Sequence, residues 1–502
     1  MFMFASSHVI NALRVIWTVL TLWYELGVFF YSARNCHWPD LSLDLTHGHR
    51  GSPSHVLLVA DPQILDHRSY PERGPYLTYL TQLAVDLNIR KNWRVALHKR
   101  PDAVVFLGDM MDGGRFNMPD DEYEHYYERF QDIFRLPTNT PAYFIPGNHD
   151  IGLRTSTSFS PHARARYTSH FGPLNSRISI ANHTLVFLNA PGLVEEDSER
   201  LNHAKSYKDW TPSQGGSVEF VKSLVAERGT DPIILMSHIP LARDNFDCGP
   251  LREKGTIRPG VGSGYQNTLG NEATAFLLEE LRPSIIFSGD DHDYCEQLHP
   301  SVIPGIVSPT REVSVKSLSM AMGIRRPGFQ LLSLARQEQS DGGLGSRATH
   351  ADVPCFLPDQ MKIYLSIYVP LLIFSLLAVV ILNGLRVRAS SLHARRHSRR
   401  SSSPSLHLNL RPRHEDDLSE EEYGSDNSSY LLPRPASAPS AKTLTNRHGR
   451  CSCSFVLLGK RRRISGRRKH DSFLVGTLRD ARDVATFPLT LFLVISLWIS
   501  FS

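Results

Sequence analysis

The chain has 502 residues, 41% of them hydrophobic, and a formal net charge of +5. This length excludes a protein with only one ordinary domain, because a single core rarely extends over so many residues. The charge is unevenly distributed, with a net +11 over residues 386–483 and −6 over the remainder, which excludes a uniformly basic protein.

The N-terminal segment is apolar over residues 9–31 and long enough to cross a bilayer. Arg14 and Glu25 interrupt it, but each lies within about two turns of an end, where a long side chain reaches the interface. We predict a retained transmembrane anchor over residues 1–31. A cleaved signal peptide is the alternative, but the apolar run is too long and no small-residue cleavage site follows. Residues 32–53, rich in Pro, Gly and His, are predicted to form a linker.

Short apolar strands alternate with helices over residues 54–340, which are predicted to form one domain. The helix predicted at residues 76–99 carries Leu77, Leu80, Leu83, Val85 and Leu87, as a crossover helix would. Strands are predicted at 56–60, 103–107, 142–145, 233–237 and 283–287, further helices at 120–134, 213–227 and 271–281, a hairpin at 177–189, and shorter β segments at 302–307, 312–317 and 329–334. This alternation predicts a layered α/β sandwich.

A second apolar run, residues 363–385, lacks charged residues and is bracketed by Lys362 and Arg386, so we predict a transmembrane helix at 362–386. Residues 341–361 are predicted as a juxtamembrane linker. Residues 387–483 are predicted as a basic and mostly disordered tail. Residues 484–501 contain Pro488 and are either a third span or a tail in the interface.

The basic residues after the second span predict that this side is cytosolic and that residues 36–361 are lumenal. We expect the tail to contact anionic lipid, and we expect no nucleic-acid partner, because a basic run beside a span is typical of an orientation signal. Cys36, Cys248, Cys295 and Cys355 allow three disulfide pairings. We favour Cys36 with Cys355 and Cys248 with Cys295, with free buried thiols as the alternative. Asn182-His-Thr is an acceptable glycosylation site in a secretory protein.

Polar side chains follow five of the predicted strands, and the set comprises Asp61, Asp109, Asn148, His149, His238, Asp290 and His292. Any one stretch alone is equally well explained as a turn rich in Asp and Gly. Because strand ends of an open α/β sheet form binding crevices, the whole set predicts one site. Oxygen and imidazole ligands suit Mn²⁺, Fe or Zn²⁺ better than a thiolate-binding metal.

The order Asp, Gly-Asp-x-x-Asp, Gly-Asn-His-Asp, His, Gly-x-x-His over about residues 54–335 resembles the calcineurin-like metallophosphoesterases. Ala60-Asp61-Pro62-Gln63, Ser288-Gly-Asp-Asp-His-Asp-Tyr-Cys295 and the segment from Ser317 to Gly328 resemble the fungal cell-division-control branch. That branch is related to the mammalian enzyme that removes ethanolamine phosphate from glycosylphosphatidylinositol (GPI) glycans.

The resemblance implies a four-layer α/β/β/α sandwich, here flanked by transmembrane helices, with two divalent metal ions, of which Mn²⁺ is expected. It implies that Asp61, Asp109 and His292 bind one ion, and that Asp109, Asn148, His238 and Asp290 bind the other. His149 would protonate the departing oxygen, with Asp150 orienting its ring. Asp112 is expected to orient the turn that contains it.

Two positions depart from the family pattern, Gln63 in place of a His and Asp290 in place of another. Gln63 either binds through its amide oxygen or leaves a coordination position open, and His67 on the same loop is a candidate substitute. Asp290 favours Mn²⁺ over Zn²⁺. Arg325 and Arg326 are candidates for binding a substrate phosphate, with an exposed basic turn as the alternative.

The function implied by the resemblance is a lumenal, metal-dependent phosphodiesterase that removes ethanolamine phosphate from a mannose of GPI anchors. Its expected location is the endoplasmic reticulum or Golgi membrane. One alternative keeps the chemistry but takes phosphoproteins or lipid phosphates as substrates. The other is a non-catalytic cargo or sorting receptor, suggested by Gln63.

Overall fold

The computed structural model describes residues 2–43, 52–154, 156–227, 229–243, 247–255, 257, 260–300, 309–336, 349–401, 452–457, 460–465 and 472–501. The β segment predicted at 302–307 and most of the tail predicted as disordered lie outside these residues.

Two mixed sheets form the centre of the domain. The first sheet has the order β13-β12-β1-β2-β3 and consists of β1 (Ser54–Val59), β2 (Ala103–Phe106), β3 (Ala142–Phe144), β12 (Gly328–Leu334) and β13 (His350–Phe356). The second has the order β10-β11-β9-β6-β5-β4 and consists of β4 (Ser176–Ile180), β5 (His183–Leu188), β6 (Ile233–Ser237), β9 (Ile285–Ser288), β10 (Cys295–His299) and β11 (Thr310–Ser314). In each sheet the central strands are parallel, β1 with β2 and β3, and β5 with β6 and β9.

Alternation along the strands divides the core into three layers of side chains. In β1, Val56 and Leu58 face the second sheet, while Leu57 and Val59 face helices. The helices against the first sheet are α3 (Pro75–Leu97), α4 (Asp120–Ile133) and α6 (Ala163–Phe171), and those against the second are α7 (Ala190–Asn202), α8 (Ser217–Ala226) and α9 (Asn271–Leu281). The architecture is therefore the α/β/β/α sandwich that the resemblance implies.

Most predicted strands and helices are confirmed, including α9 at its predicted bounds, but α7 was not predicted. Its sequence begins Ala-Pro-Gly, which is typical of a loop. Pro191 lies in the first turn, where it has no hydrogen bond to lose, and the Asn189 side chain accepts a hydrogen bond from the Gly192 N–H at 3.0 Å. The helix predicted at 213–227 begins only at Ser217, because Gly215 has a positive φ of 71°. The strand predicted at 312–317 is β11, which begins and ends earlier.

Residues 341–361, for which the sequence predicted a linker, contain β13. This strand pairs antiparallel with β12 over its whole length and forms one edge of the first sheet. Cys355 lies in β13 and is bonded to Cys36, with 5.8 Å between the Cα atoms. Cys248 is bonded to Cys295. Both favoured disulfide pairings are confirmed.

Within the described residues, three helical segments are long and apolar enough to cross a membrane, namely Ser7–Ser32, Gln360–Leu392 and Phe473–Phe501. The first is built from α1 (Phe2–Leu22), a π-helical turn (Trp23–Gly27) and α2 (Val28–Ser32), and the second from α10 (Gln360–Ile363), a π-helical turn (Tyr364–Tyr368) and α11 (Val369–Ser401). The third is α12 (Phe473–Phe501). The sequence predicted the first two as spans and left the third open.

The chain divides into two compact units, Arg14–Ile373 with Thr486–Ser502, and Met1–Leu13 with Phe374–Ala485. The first contains both sheets. In the second, α11 and α12 share a polar contact, because Asn383 donates a hydrogen bond to the buried Asp480 at 3.0 Å and Arg386 pairs with the same carboxylate. The remaining described elements are a 3-10 helix (Asp40–Ser42), a one-turn helix α5 (Asn148–Ile151), a hairpin of β7 (Val261–Gly262) and β8 (Tyr265–Gln266), and a pair of β14 (Ser452–Leu457) and β15 (Lys460–Ser465).

Candidate metal centre

Six polar side chains gather where β1, β2, β3, β6 and β9 end, and we call them the ligand cluster: Asp61, Asp109, Asn148, His238, Asp290 and His292. The donor atoms of Asp61, Asp109 and His292 lie within 4.8 Å of one another. The same holds for Asp109, His238 and Asp290. Asp109 belongs to both groups, which is the arrangement required of a ligand shared by two ions.

The orientation of His238 and Asn148 is fixed by backbone carbonyls. His238 Nδ1 lies 2.7 Å from the Leu107 oxygen, to which it donates, so Nε2 faces Asp109 at 3.3 Å and Asp290 at 3.5 Å. The Asn148 amide donates to the Gly264 oxygen at 2.9 Å, which leaves its own oxygen 3.0 Å from His238 Nε2. Such outer contacts hold ligand atoms toward a common point.

The electrostatics of the cluster favour a positive charge at this point. Burial opposes protonation of His238, but Asp109 and Asp290 outweigh it and raise its pKa well above the ordinary value. Burial lowers the pKa of His292, which favours the neutral ring that a metal requires. The two carboxylates therefore favour a positive charge beside them, and burial favours the neutral form of His292.

The environment of the Asp61 carboxylate indicates whether these residues fit a metal ion. Its carboxylate is fully buried, and Oδ1 accepts a hydrogen bond from the Asp290 N–H at 3.0 Å. Oδ2 has no hydrogen-bond partner among the residues that the structure describes. Burial, with the nearby charges of Asp109 and Asp290, raises the pKa of Asp61 well above its usual range. A buried carboxylate oxygen without a partner is costly, and a divalent cation would satisfy it. The donor set therefore fits two divalent ions.

Backbone strain is concentrated at the cluster. Asp61, Asp109, Asp290 and His292 have positive φ values of 46°, 55°, 62° and 65°. Non-glycine residues adopt such values at a cost of about 1–3 kcal/mol each, and they do so mainly where function requires it. The flanking glycine Gly147 is required by space, since a Cβ there would lie 2.0 Å from Asp109 Oδ1.

Gln63 lies inside the centre. It also has a positive φ, of 39°, and its Nε2 donates to Asp109 Oδ2 at 2.8 Å and lies 3.4 Å from His292 Nε2. A half-turn about the last side-chain bond would place the amide oxygen toward the same groups. The structure thus brings Gln63 to the place where the family pattern has a His.

His67 does not reach the ligand cluster. Its exposed ring lies against α4, with Nδ1 3.3 Å from Glu122 Oε1 and 3.4 Å from the Tyr126 hydroxyl. The preceding residue, Asp66, is held by Arg68 and Ser69, which directs the loop toward α4. The structure therefore does not support His67 as a substitute for the missing His.

The ring of His149 is held by Asp112, not by Asp150 as the sequence predicted. Nδ1 lies 2.7 Å from the Asp112 backbone oxygen and 3.2 Å from its Oδ1. Burial opposes the charged form, but Asp109 and Asp112 outweigh it and raise the pKa of His149 to about 9. Because Nδ1 donates to Asp112, Nε2 is the nitrogen that can deliver a proton to substrate.

Asp150 supports the backbone around Asp109. Its carboxylate accepts N–H groups from Asp109 at 2.8 Å, Gly147 at 2.9 Å and Met111 at 3.1 Å. Burial and the Asp109 charge raise the pKa of Asp150 to about 7. From the single turn of α5, the Asp150 side chain points back toward the ends of the preceding strands. This direction depends on the fold and cannot be read from the position of Asp150 in the sequence.

Arg325 and Arg326 lie on an exposed turn. Their backbone N–H groups donate to Glu253 at 2.8 and 3.1 Å, and the Arg326 guanidinium lies over the Phe356 ring. No ion pair or hydrogen bond joins either guanidinium to the ligand cluster in the part of the chain described here. Binding of substrate by this pair stays a prediction.

Sequence reasoning missed Arg115. This half-buried residue donates through Nη1 to the Gly264 oxygen at 3.1 Å and the Asn148 oxygen at 3.3 Å. Burial lowers its pKa, although Asp109, Asp112, Asp150 and Asp290 all act in the other direction. The signal was its position directly after Asp112-Gly-Gly, at the end of the Gly-Asp-x-x-Asp motif.

Comparison with known proteins is consistent with this geometry. Residues 54–294 match the family described as calcineurin-like phosphoesterase. The chain is 34% identical over 363 residues to Cell division control protein 1 of Saccharomyces cerevisiae, covering 70% of each chain. It is 25% identical to Metallophosphoesterase 1 of Danio rerio, covering 72% of this chain and 89% of that protein, and 27% identical to the Xenopus laevis protein of that name, covering 68% and 81%.

Among the solved structures that match, two share 15% sequence identity with this chain. A dimetal phosphatase from Danio rerio is matched with a TM-score of 0.34, covering 61% of this chain and all of that one. A purple acid phosphatase from yellow lupin is matched with a TM-score of 0.36, covering 63% and 56%.

Proposed function

Since this chain belongs to the calcineurin-like phosphoesterase family, we propose that it removes ethanolamine phosphate from a mannose of GPI anchors at a secretory-pathway membrane. The enzyme class is a dinuclear-metal phosphoesterase. The observation that carries the chemistry is the convergence of six donor side chains. Five of them form two groups that share Asp109, and the Asn148 oxygen lies 3.0 Å from His238 Nε2 in the second group. The similarity to Cell division control protein 1 and to the Metallophosphoesterase 1 proteins supports the enzyme family, and the substrate is the one that the sequence resemblance implies.

When bound, two divalent cations supply a nucleophile from water and neutralise the charge of the phosphodiester. The proposed ligands are Asp61, Asp109 and His292 for one ion, and Asp109, Asn148, His238 and Asp290 for the other. Gln63 would complete the first set through its amide oxygen after a half-turn about its last side-chain bond. Mn²⁺ is the proposed metal, because the donors are mainly oxygen atoms and Asp290 adds a hard carboxylate.

His149 is proposed as the general acid. Water attacks phosphorus, the bond from phosphorus to the mannose oxygen breaks, and a proton from His149 Nε2 converts the departing alkoxide to a hydroxyl. The products are ethanolamine phosphate and a free mannose hydroxyl. Asp112 is a positioning residue in this step, because its contact with Nδ1 fixes the ring and the tautomer.

The proposed location is the endoplasmic reticulum or Golgi membrane, with the catalytic domain in the lumen. The two disulfides support an oxidising compartment. The basic residues that follow the second candidate span support a cytosolic tail. An enzyme held by spans meets a lipid-linked glycan in one thin layer, which raises the effective concentration of both.

The test uses the full-length protein purified in detergent with Mn²⁺ and incubated with GPI glycans that carry ethanolamine phosphate. Mass spectrometry of the glycans should show loss of that group with the wild-type protein. The Asp109→Asn variant should leave the glycans intact. Asp121→Asn is the matched control, because the same change is made on the exposed first turn of α4.

Phosphoproteins and lipid phosphates are tested in parallel with the same preparations. Equal glycan masses after treatment with wild type and Asp109→Asn would refute the GPI substrate. Hydrolysis of one of the other esters would then replace the substrate and leave the enzyme class intact. Failure to cleave any of the esters, with one bound metal ion or none, would favour the receptor alternative.

A further inference from the structure

The first half of α3 has an exposed apolar face. Tyr76 is 76% exposed and Leu83 is 42% exposed, and Leu80 lies between them. Leu77 and Tyr79 beside them are also exposed. No charged residue occurs from Gly74 to Val85. The sequence pattern suggested an ordinary crossover helix, yet the residues of α3 that enter the core are Val85, Ile89, Trp93, Val95 and Ala96. An exposed cluster of this kind indicates a binding surface.

This face continues along the helix as one stripe. At about 100° per residue, Tyr76, Leu80, Leu83, Leu87, Lys91 and Arg94 all fall within about 80° of arc. Tyr76, Leu80 and Leu83, which we call the exposed stripe, therefore lie in line with Lys91 and Arg94. The exposed stripe therefore points in the same direction as the second half of this face, and the contacts of that half indicate what the stripe faces.

The second half of this face contacts all three candidate spans. Lys91 Nζ donates to Glu25 of the first span at 2.8 Å and to Gln360 at the start of the second at 2.9 Å. Arg94 Nη2 donates to the Trp498 and Ile499 carbonyl oxygens near the end of the third, at 3.0 and 3.1 Å. Glu25 lies about two turns before the end of the first span, whereas Gln360, Trp498 and Ile499 lie at or near the ends of the other two, so α3 lies close to the level where the spans leave the hydrocarbon.

We propose that the exposed stripe of α3 lies in the interfacial layer of the same bilayer and contacts lipid directly. Tyr and Leu without charge suit this layer, because the rings lie among headgroups while the aliphatic side chains reach the first acyl carbons. Lipid is favoured over a protein partner because the face is continuous with contacts to the membrane spans. The catalytic domain is then held to the membrane by a surface of its own as well as by its spans. The proposal does not depend on the substrate.

The test is depth-dependent fluorescence quenching of the full-length protein, one chain per lipid nanodisc. Cys451 and Cys453, outside the two disulfides, are replaced by Ser. An environment-sensitive fluorophore is attached at Leu83→Cys or, as a second position, Tyr76→Cys. The matched control is Leu201→Cys, on α7 of the opposite helix layer, where the native side chain is 54% exposed.

Lipid carrying a spin label near the headgroup should lower fluorescence at positions 83 and 76 about twofold, and leave position 201 unchanged. Both α3 residues are exposed, so labelling leaves the core intact. Quenching at 83 and 76 no greater than at 201 would overturn the proposal. Quenching absent in single-chain discs, with shielding that appears only in two-chain discs, would assign the stripe to a second copy and would also overturn it.

Discussion

Asp109, at the end of β2, forms hydrogen bonds through both carboxylate oxygens and through its backbone N–H. Its Oδ1 accepts the His149 N–H at 2.9 Å, its Oδ2 accepts Gln63 Nε2 at 2.8 Å, and its own N–H donates to Asp150. Burial opposes ionisation, but His238 and His149 outweigh it and hold the pKa of Asp109 far below its usual range. A carboxylate whose ionised form is favoured, and which belongs to both groups of donors, suits a shared metal ligand.

Replacing Asp109 by Asn should therefore abolish phosphoesterase activity. The amide keeps the shape but removes the charge common to both donor groups, and we expect kcat/KM to fall by about two orders of magnitude or more. A generic phosphodiester substrate suffices for this measurement, because it tests the centre rather than the physiological substrate. Asp121→Asn should retain wild-type activity, and equal activity of the two variants would exclude Asp109 from the chemistry.

His149 and Asp112 should differ in the size of their effects. His149→Asn should lower kcat by about 100-fold or more, because general acids contribute that much. Asp112→Asn should lower kcat less, because the backbone oxygen at 2.7 Å remains to orient the ring. Neither change should alter the number of bound metal ions. The proposed roles would be wrong if both variants kept full kcat, or if either lost metal in step with activity.

The sequence predicted the ligand cluster because each member directly follows a strand, and parallel strands bring their ends to one edge. It did not predict the partner of His149. Asp112 and Asp150 lie in tight turns, where one residue of offset redirects a side chain. The direction is set by three-dimensional neighbours such as the Gly147 N–H.

At the scale of secondary-structure elements, the turn between β3 and α5 must pass close to the end of β2. Gly147→Ala should therefore disturb the centre, since its Cβ would lie 2.0 Å from Asp109 Oδ1. The Gly147 φ of −97° suits Ala, so the collision is the only penalty. We expect a loss of about 1–3 kcal/mol of stability and a larger loss of activity.

Thermal unfolding and phosphodiester hydrolysis measure the two effects. Gly229→Ala is the control, because no atom lies within 4 Å of the added Cβ. Should Gly147→Ala match this control in both assays, the close packing of these two strand ends would be refuted.

Elements with regular periodicity were predictable, whereas those stabilised by tertiary contacts were not. β13 has no alternation strong enough to identify it, and it exists as a strand because it pairs along β12 and is bonded to Cys36. α3 shows the reverse case. Its apolar residues predicted a helix correctly. Three of them are nevertheless exposed, because they face away from the sheet.

At the scale of the whole molecule, the proposed orientation places the sandwich and the tail on opposite sides of the membrane. Each side carries an acceptor sequence for N-glycosylation, Asn182-His-Thr in the domain and Asn427-Ser-Ser in the tail. Asn182 is exposed at the tip of the hairpin between β4 and β5, with a positive φ of 58°. Its position is accessible to a lumenal glycosyltransferase.

Asn182→Gln should abolish the endoglycosidase-sensitive shift in gel mobility of the protein expressed in eukaryotic cells. Asn427→Gln should leave the shift unchanged, because the tail is predicted to be cytosolic. A shift that is lost with Asn427→Gln and kept with Asn182→Gln would reverse the proposed topology.

The metal content of the full-length protein tests the dinuclear centre most directly. Inductively coupled plasma mass spectrometry of protein purified with Mn²⁺ should find about two divalent ions per chain for the wild type and fewer for Asp109→Asn. Asp121→Asn should match the wild type. One ion or none in the wild type, or a content that Asp109→Asn leaves unchanged, would contradict a pair of cations held by these six side chains.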